Sequence, residues 1–214
     1  MHTRRTTSRS FAFVAALAFA AGGCTQVAAP ETNTSRDPAA AAEAARQLDQ
    51  LTVASAVSMR GYSRDRFPHW RDTGKNCDVR DTVLKRDGTD VRLSGCNVVG
   101  GRWTSVYDGK DFTDPADVDV DHMVPLANAW RSGASKWTDE QRGDFANDLD
   151  RPQLFAVSAA SNRSKGDQDP AQWQPPNRDY WCQYATDWVT VKHHWRLTVT
   201  SAEKTALADM LERC

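Results

Sequence analysis

Val118-Asp119-Val120-Asp121-His122-Met123-Val124-Pro125, continued by Gln153-Leu154-Phe155-Ala156-Val157-Ser158 and then Asn162-Arg163-Ser164-Lys165-Gly166, is the part of the chain whose reading decides the fold. Val118 and Val120 alternate with Asp117, Asp119 and Asp121, the period of a half-buried strand that runs into His122. Pro125 then opens a helix through Trp130 that Gly133 can end. Residues 153–157 read as a second short strand between Pro152 and Ser158, and a short helix over 159–165 stops at Gly166. On that helix Asn162 and Lys165 are three apart and share a face, with Ser158 one turn below. A strand pair packed on this helix would bring an acid, an imidazole, an amide and a cation together.

That set suits phosphodiester hydrolysis. Asp121 and the Asn162 amide oxygen are hard ligands for Mg²⁺, or another divalent cation such as Mn²⁺, which takes few protein oxygens and completes its shell with water and phosphate. The ion would neutralise charge on the scissile phosphate and the leaving oxygen. His122 is the expected general base, since imidazole titrates near neutrality, and Lys165 or Arg163 the expected phosphate contact. Neighbours on a strand point to opposite faces, so Asp121 and His122 reach one site only if the strand bends there. Taken singly, an Asp-His pair is more often a surface pair or a core histidine, and Asn-x-x-Lys a solvated face. The order of the elements discriminates.

Asp121-His122-Met123-Val124-Pro125 followed by Asn162-Arg163-Ser164-Lys165 resembles the ββα-metal site of HNH endonucleases. The whole run resembles a secreted HNH family of the GmrSD C-terminal type, common in actinobacteria. Its matching stretches are Tyr62-Ser63-Arg64-Asp65-Arg66-Phe67, Cys77-Asp78-Val79-Arg80-Asp81, the run from Asp121 to Trp130, Phe145-Ala146-Asn147-Asp148, the run from Ala160 to Asp167, and Trp173. The resemblance implies an α+β domain with a small ββα-metal core among helices and a β-hairpin, and a non-specific endonuclease acting on nucleic acid, DNA first. It implies His122 as general base and Asp121 and Asn162 as metal ligands, Asn162 standing where many members have a last His. Asn147 matches the middle Asn that braces the loop between the strands, although its connection to Asn162 is longer than in compact HNH motifs. The four-cysteine zinc cage of some HNH domains is absent.

Working outward, residues 102–107, Asp108-Gly109 and 110–113 read as a hairpin, with a type I′ turn at Asp-Gly. Residues 60–102 are loop-rich and basic, ten Lys or Arg against six Asp. Either they form a solvated, ion-paired surface, or Arg80, Lys85 and Arg86 contact backbone phosphates. Thr138 with Gln141 and Thr200 with Glu203 are capping boxes for helices over 139–147 and 201–212. Leu48 and Leu51 share a face of a helix over 39–52; Trp181, Tyr184, Trp188 and Val191 do so over 179–194, and both tryptophans are expected in the core. His193 and His194, being adjacent, fit a solvated helix end better than a metal pair, and His69 beside Trp70 is expected to pack.

At the start, Arg4, Arg5 and Arg9 precede the apolar run 11–20 and Ala21-Gly22-Gly23-Cys24, the pattern of an export signal over 1–23. Two readings stand: Cys24 as the lipid-modified cysteine of a bacterial lipoprotein, giving membrane attachment through that anchor alone, or cleavage after Val27-Ala28-Ala29 and release. A tether over 24–42 and one domain over 43–214 follow. Loss of the three arginines takes the 27 basic residues to 24 against 28 acidic ones, which excludes a uniformly basic nucleic-acid binder. No apolar run reaches the ~18 residues of a membrane span. Cys77, Cys96, Cys182 and Cys214 form an even set for an oxidising compartment; of three possible pairings the two local ones, Cys77–Cys96 and Cys182–Cys214, are expected. The rival to an enzyme is a surface lipoprotein using the same fold as a nucleic-acid or protein-binding module, which would not need His122. A metal-dependent hydrolase of wall polymers ranks last, lacking a His-x-x-x-His set.

Overall fold

The computed structural model describes residues 37–214 and, before them, His2 alone. The export segment, Cys24 and the tether up to residue 36 lie outside the described residues. In chain order the elements are α1 (Pro38–Gln50), β1 (Asp72–Gly74), β2 (Cys77–Asp78), α2 (Val79–Asp87), β3 (Thr89–Ser94), β4 (Asn97–Thr104), β5 (Asp111–Phe112), β6 (Val118–His122), α3 (Leu126–Arg131), α4 (Asp139–Ala146), β7 (Leu154–Ser158), α5 (Ala159–Lys165), α6 (Trp181–His194) and α7 (Ser201–Leu211). The mix is α+β, with three small antiparallel sheets ordered β1-β2, β3-β4-β5 and β6-β7.

The helix starts follow from their caps. Thr138 and Thr200 close reciprocal boxes with Gln141 and Glu203, as their spacing predicts. Asp37 accepts the Ala39 N–H with Pro38 in the first turn, so α1 begins inside the stretch read as tether. A third box, Asp78 with Asp81, starts α2 within the region read as loop-rich; that reading is corrected, since 72–104 holds a helix and four strands. The type I′ hairpin is also corrected. The β4–β5 register pairs Trp103 with Phe112 and Thr104 with Asp111, so 105–110 is a longer loop. Its residues are drawn elsewhere: Tyr107 is fully buried, and the Asp108 carboxylate accepts the Ser161 hydroxyl of α5 at 2.9 Å.

Two apolar clusters flank the β6–β7 ribbon. The larger gathers Leu48, Leu51, Phe67, Trp130, Phe145, Trp188 and their neighbours from α1, α3, α4, α6 and α7. The smaller packs Val79, Val83 and Leu84 of α2 and Trp103 of β4 onto Val118, Val120, Leu154 and Ala156. Each fully buried aliphatic or aromatic side chain contributes about 1.5–3 kcal/mol, so both ribbon faces are held. Cys77 is joined to Cys96 and Cys182 to Cys214. The first bond ties β2 to the β3–β4 turn; the second ties the start of α6 to the chain beyond α7. No helix among the described residues is long and apolar enough to cross a membrane.

Candidate active site

The ribbon register pairs Asp121 with Phe155 and His122 with Leu154. Alternation therefore sends Val118, Val120 and His122 to the α2 side, and Asp119 and Asp121 to the α5 side. At the end of β6 the chain turns. Met123 N–H donates to the Gln153 carbonyl at 2.7 Å, and the fully buried Gln153 amide closes a two-way clamp on Val124, accepting its N–H at 3.1 Å and donating to its carbonyl at 3.0 Å. With the strand ended in this way, Asp121 and His122 both line one cavity of about 250 Å³, together with Tyr62, Arg64, Asn162 and Asp167.

His122 is buried, and its Nε2–H donates to the Ala146 carbonyl at 2.9 Å. A carbonyl only accepts, so the neutral ring carries its proton on Nε2 and Nδ1 keeps a bare lone pair. Burial lowers its pKa to about 3 against the opposing Ala146 bond, with the charges of Arg64, His69 and Lys165 lowering it further. The ring stacks on Trp70 at 5.7 Å and meets His69 edge-on at 6.5 Å. Trp70 takes φ +59°, a conformation bulky residues rarely adopt. Asn147, just beyond α4, holds this loop: its side chain accepts the Arg71 N–H at 2.9 Å and donates to the Pro68 and Gly143 carbonyls, each at 2.7 Å. It braces the loop beside His122 and makes no bond to the imidazole, so its place is positional.

Asp121 uses Oδ2 twice, accepting the Tyr107 hydroxyl at 2.7 Å and the Lys165 ammonium at 2.7 Å. Burial raises the Tyr107 hydroxyl well above the phenol range, so it remains a donor. Lys165 Nζ also donates to the His122 carbonyl at 2.8 Å and has no exposed surface. Burial lowers its pKa while Asp121 holds it up. The expectation that Lys165 contacts a phosphate is corrected: Asn162 and Lys165 do lie on one side of α5, but the packed side, where the ammonium is enclosed. Asn162 donates from Nδ2 to Asp119 Oδ2 at 3.1 Å, which leaves its amide oxygen for the cavity it lines.

These leftover oxygens, one from Asp121 and one from Asn162, fit a hard divalent cation that keeps most of its water. Among the described residues no group of three or more His, Cys, Asp or Glu side chains is placed to hold a metal ion. Of the other expected contacts, Arg163 is exposed on α5 beside Asn162, and Arg80 is half-buried on α2. Of the two readings of Arg86 the structure shows the ion pair: its guanidinium bonds the Leu154 carbonyl and Asp87, whose carboxylate accepts the Ala156 N–H at 2.8 Å, so it helps to hold β7. His193 bonds Gln50 at 2.9 Å, and Trp188 is in the core. Sequence reasoning missed Tyr107, Asp119, Gln153 and Arg64. The i, i+2 spacing of Asp119 and Asp121 could have revealed the second, and Arg64 lies in the family-like stretch 62–67; nothing local marks Tyr107 or Gln153.

No solved structure matches the chain. A protein of the fungus Arthroderma benhamiae, described only as an uncharacterized secreted protein, is 52% identical over 168 residues, covering 78% of this chain and 82% of its own. Residues 78–210, which include β6, β7 and α5, match the model of the C-terminal domain of GmrSD restriction endonucleases, and the chain belongs to that family.

Proposed function

We propose that the protein is an exported, divalent-metal-dependent endonuclease of the HNH type, in which β6, β7 and α5 form the ββα-metal core and residues 43–214 the nuclease domain. Its substrate is nucleic acid, DNA without sequence preference, and Mg²⁺ or Mn²⁺ is its metal. The observation that carries this reading is that His122, whose Nε2–H is committed to the Ala146 carbonyl so that Nδ1 keeps its lone pair, lines the same cavity as Asp121 and Asn162.

Asp121 and Asn162 would hold the ion, which when bound supplies charge neutralisation at the scissile phosphate and the leaving oxygen. His122 Nδ1 takes a proton from the attacking water while its Nε2–H stays on the Ala146 carbonyl, which stabilises the imidazolium formed. The negative charge of an entering phosphate raises the basicity of this imidazole toward the range a general base needs. Lys165 and Tyr107 fix the rotamer of Asp121, and Asp119 fixes the orientation of Asn162. Export is supported by the basic and apolar pattern of residues 1–23 and by the secreted description of the fungal relative. Cys24 is the point at which a lipid anchor would attach; without it the chain is released. The fungal source of the relative gives no support to a bacterial origin.

The test is plasmid degradation by the full chain, disulfides formed, with Mg²⁺, with chelator, and with His122→Ala. Cleavage should need the metal and fall by about 10²–10⁴-fold in the variant. Undiminished cleavage by a folded His122→Ala protein removes the assignment; no cleavage of DNA or RNA with any divalent metal removes the nuclease reading.

A further inference from the structure

Arg64 sits in a single 3₁₀ turn, Arg64–Arg66, between two anchors. Tyr62 packs edge-on against Trp130 at 5.8 Å, and Phe67 is wholly buried. The two arginines of the turn have different surroundings. Arg66 lies over the Trp130 ring at 5.0 Å and pairs with Asp139 at 3.7 Å. Arg64 has no carboxylate partner among the described residues; its side-chain bond is from Nε to His69 Nε2 at 3.3 Å. His69 Nδ1 faces the Phe67 carbonyl at 2.9 Å and must donate there, so Nε2 is the acceptor that receives Arg64. Among the described residues the Nη ends of the guanidinium have no acceptor, and Arg64 lines the same cavity as His122, Asp121 and Asn162.

The two acids that line that cavity each have a cationic partner, and the nearby Asp119 bonds a neutral amide. Asp121 is paired with Lys165, Asp167 with Arg131 at 2.5 Å, and Asp119 holds Asn162. Among the described residues Arg64 is the cavity-lining cation whose charge has no carboxylate partner. A guanidinium in this state is a receptor for a tetrahedral oxyanion, which it meets with two parallel N–H bonds.

We infer that Arg64 is a further catalytic residue, whose Nη groups bind a non-bridging oxygen of the scissile phosphate, and that His69 is a positioning residue that orients it through Nε. This rests on the nuclease reading above and names the phosphate contact that the enclosed Lys165 cannot provide. Charge on the non-bridging oxygens is redistributed as the bond to the leaving oxygen lengthens, so the contact acts in the rate of the chemical step rather than only in affinity. Binding the rest of a long nucleic acid falls to other surface cations such as Arg163.

The experiment is steady-state cleavage of a short labelled duplex by the full chain with Mg²⁺, comparing wild type, Arg64→Gln, Arg64→Lys, His69→Leu, His69→Gln and the double variant Arg64→Gln/His69→Leu, each shown to be folded by thermal melting. Arg64→Gln should lower kcat by about 10²-fold with KM changed less than about threefold, and Arg64→Lys should recover part of that loss. His69→Leu should lower kcat about tenfold, His69→Gln less, because its amide oxygen can accept Nε–H; in the Arg64→Gln background His69→Leu should add almost nothing. A rise in KM with kcat unchanged would assign Arg64 to general electrostatic binding and overturn the inference, as would additive losses in the double variant for His69. Metal-dependent cleavage abolished by His122→Ala but untouched by Arg64→Gln would defeat this inference alone. No cleavage by wild type would defeat the nuclease reading and this inference with it.

Discussion

Lys165→Met would remove a buried charge and leave most of its volume. The ammonium has no exposed surface and lies 2.7 Å from Asp121 Oδ2, itself almost fully buried, and 2.8 Å from the His122 carbonyl. At an effective dielectric constant near 20 a pair at that distance attracts by roughly 6 kcal/mol gross. Much of this offsets desolvation, but that cost stays with Asp121 once its partner is gone. Deleting one member of a buried pair costs about 3–5 kcal/mol, and the orphaned carbonyl falls within that range. The assay is urea unfolding of wild type and Lys165→Met in chelator, extended by Asp121→Asn and the double variant. Lys165→Met should lose about 4 kcal/mol and the double variant distinctly less, a coupling of at least about 2 kcal/mol. Added Mg²⁺ should stabilise Lys165→Met more than wild type, because the freed carboxylate takes up the cation. A loss below about 1 kcal/mol, or strictly additive variants, would refute the claim that this pair is enclosed and tightly coupled.

Three further outcomes are expected. Asn147→Ala should cost about 2 kcal/mol through its lost side-chain bonds and lower kcat more than it changes KM; Asn147→Asp should do no better, since it cannot donate to the Pro68 and Gly143 carbonyls. Burial lifts the Asp187 carboxyl to about 7 although Gln183 and Tyr180 hydrogen bonds pull it down. From about pH 4 to 7 the folded chain therefore keeps a proton the unfolded chain has lost, and wild type loses stability as pH rises. Asp187→Asn should gain on wild type by roughly 1.4 kcal/mol per pH unit across that window and level off above it; a difference in urea midpoint that ignores pH refutes this. Replacing Cys182 and Cys214 together by Ser, which opens a loop of sequence separation 32, should cost about 3–4 kcal/mol in the same assay.

The ribbon and the helix after it were legible in the sequence because their signals are local. Alternating valines, Pro125, Ser158 and Gly166 place β6, β7 and α5 within a residue of where they lie. The region around α2 and β3 was not, for two physical reasons. Its cap is the pair Asp78 and Asp81 rather than a hydroxyl with Glu or Gln, and β3 is exposed along most of its length, so it carries no apolar alternation. Helical spacing says that Asn162 and Lys165 share a face; only tertiary packing says that this face is covered, which is why Lys165 reads as a phosphate ligand and is an enclosed partner of Asp121. The partner of His122 is the Ala146 carbonyl, a backbone group with no sequence signature. Its neighbour Asn147 was expected, through resemblance, to brace the loop between the strands; its bonds run to Pro68 and Arg71, before β1, and to Gly143 of α4.

The depth at which His122 lies bears on the surroundings in which such a protein can work. A solvent-facing imidazole is half switched off near pH ~6.5 and mostly idle one unit below. In the free chain burial keeps the His122 ring neutral well below that range, to about 3, so mild acid does not place a charge on it before a ligand enters the cavity. The covering given by Trp70 and the ribbon thus sets the charge of this one ring by shielding it from water rather than by setting a counter-charge beside it.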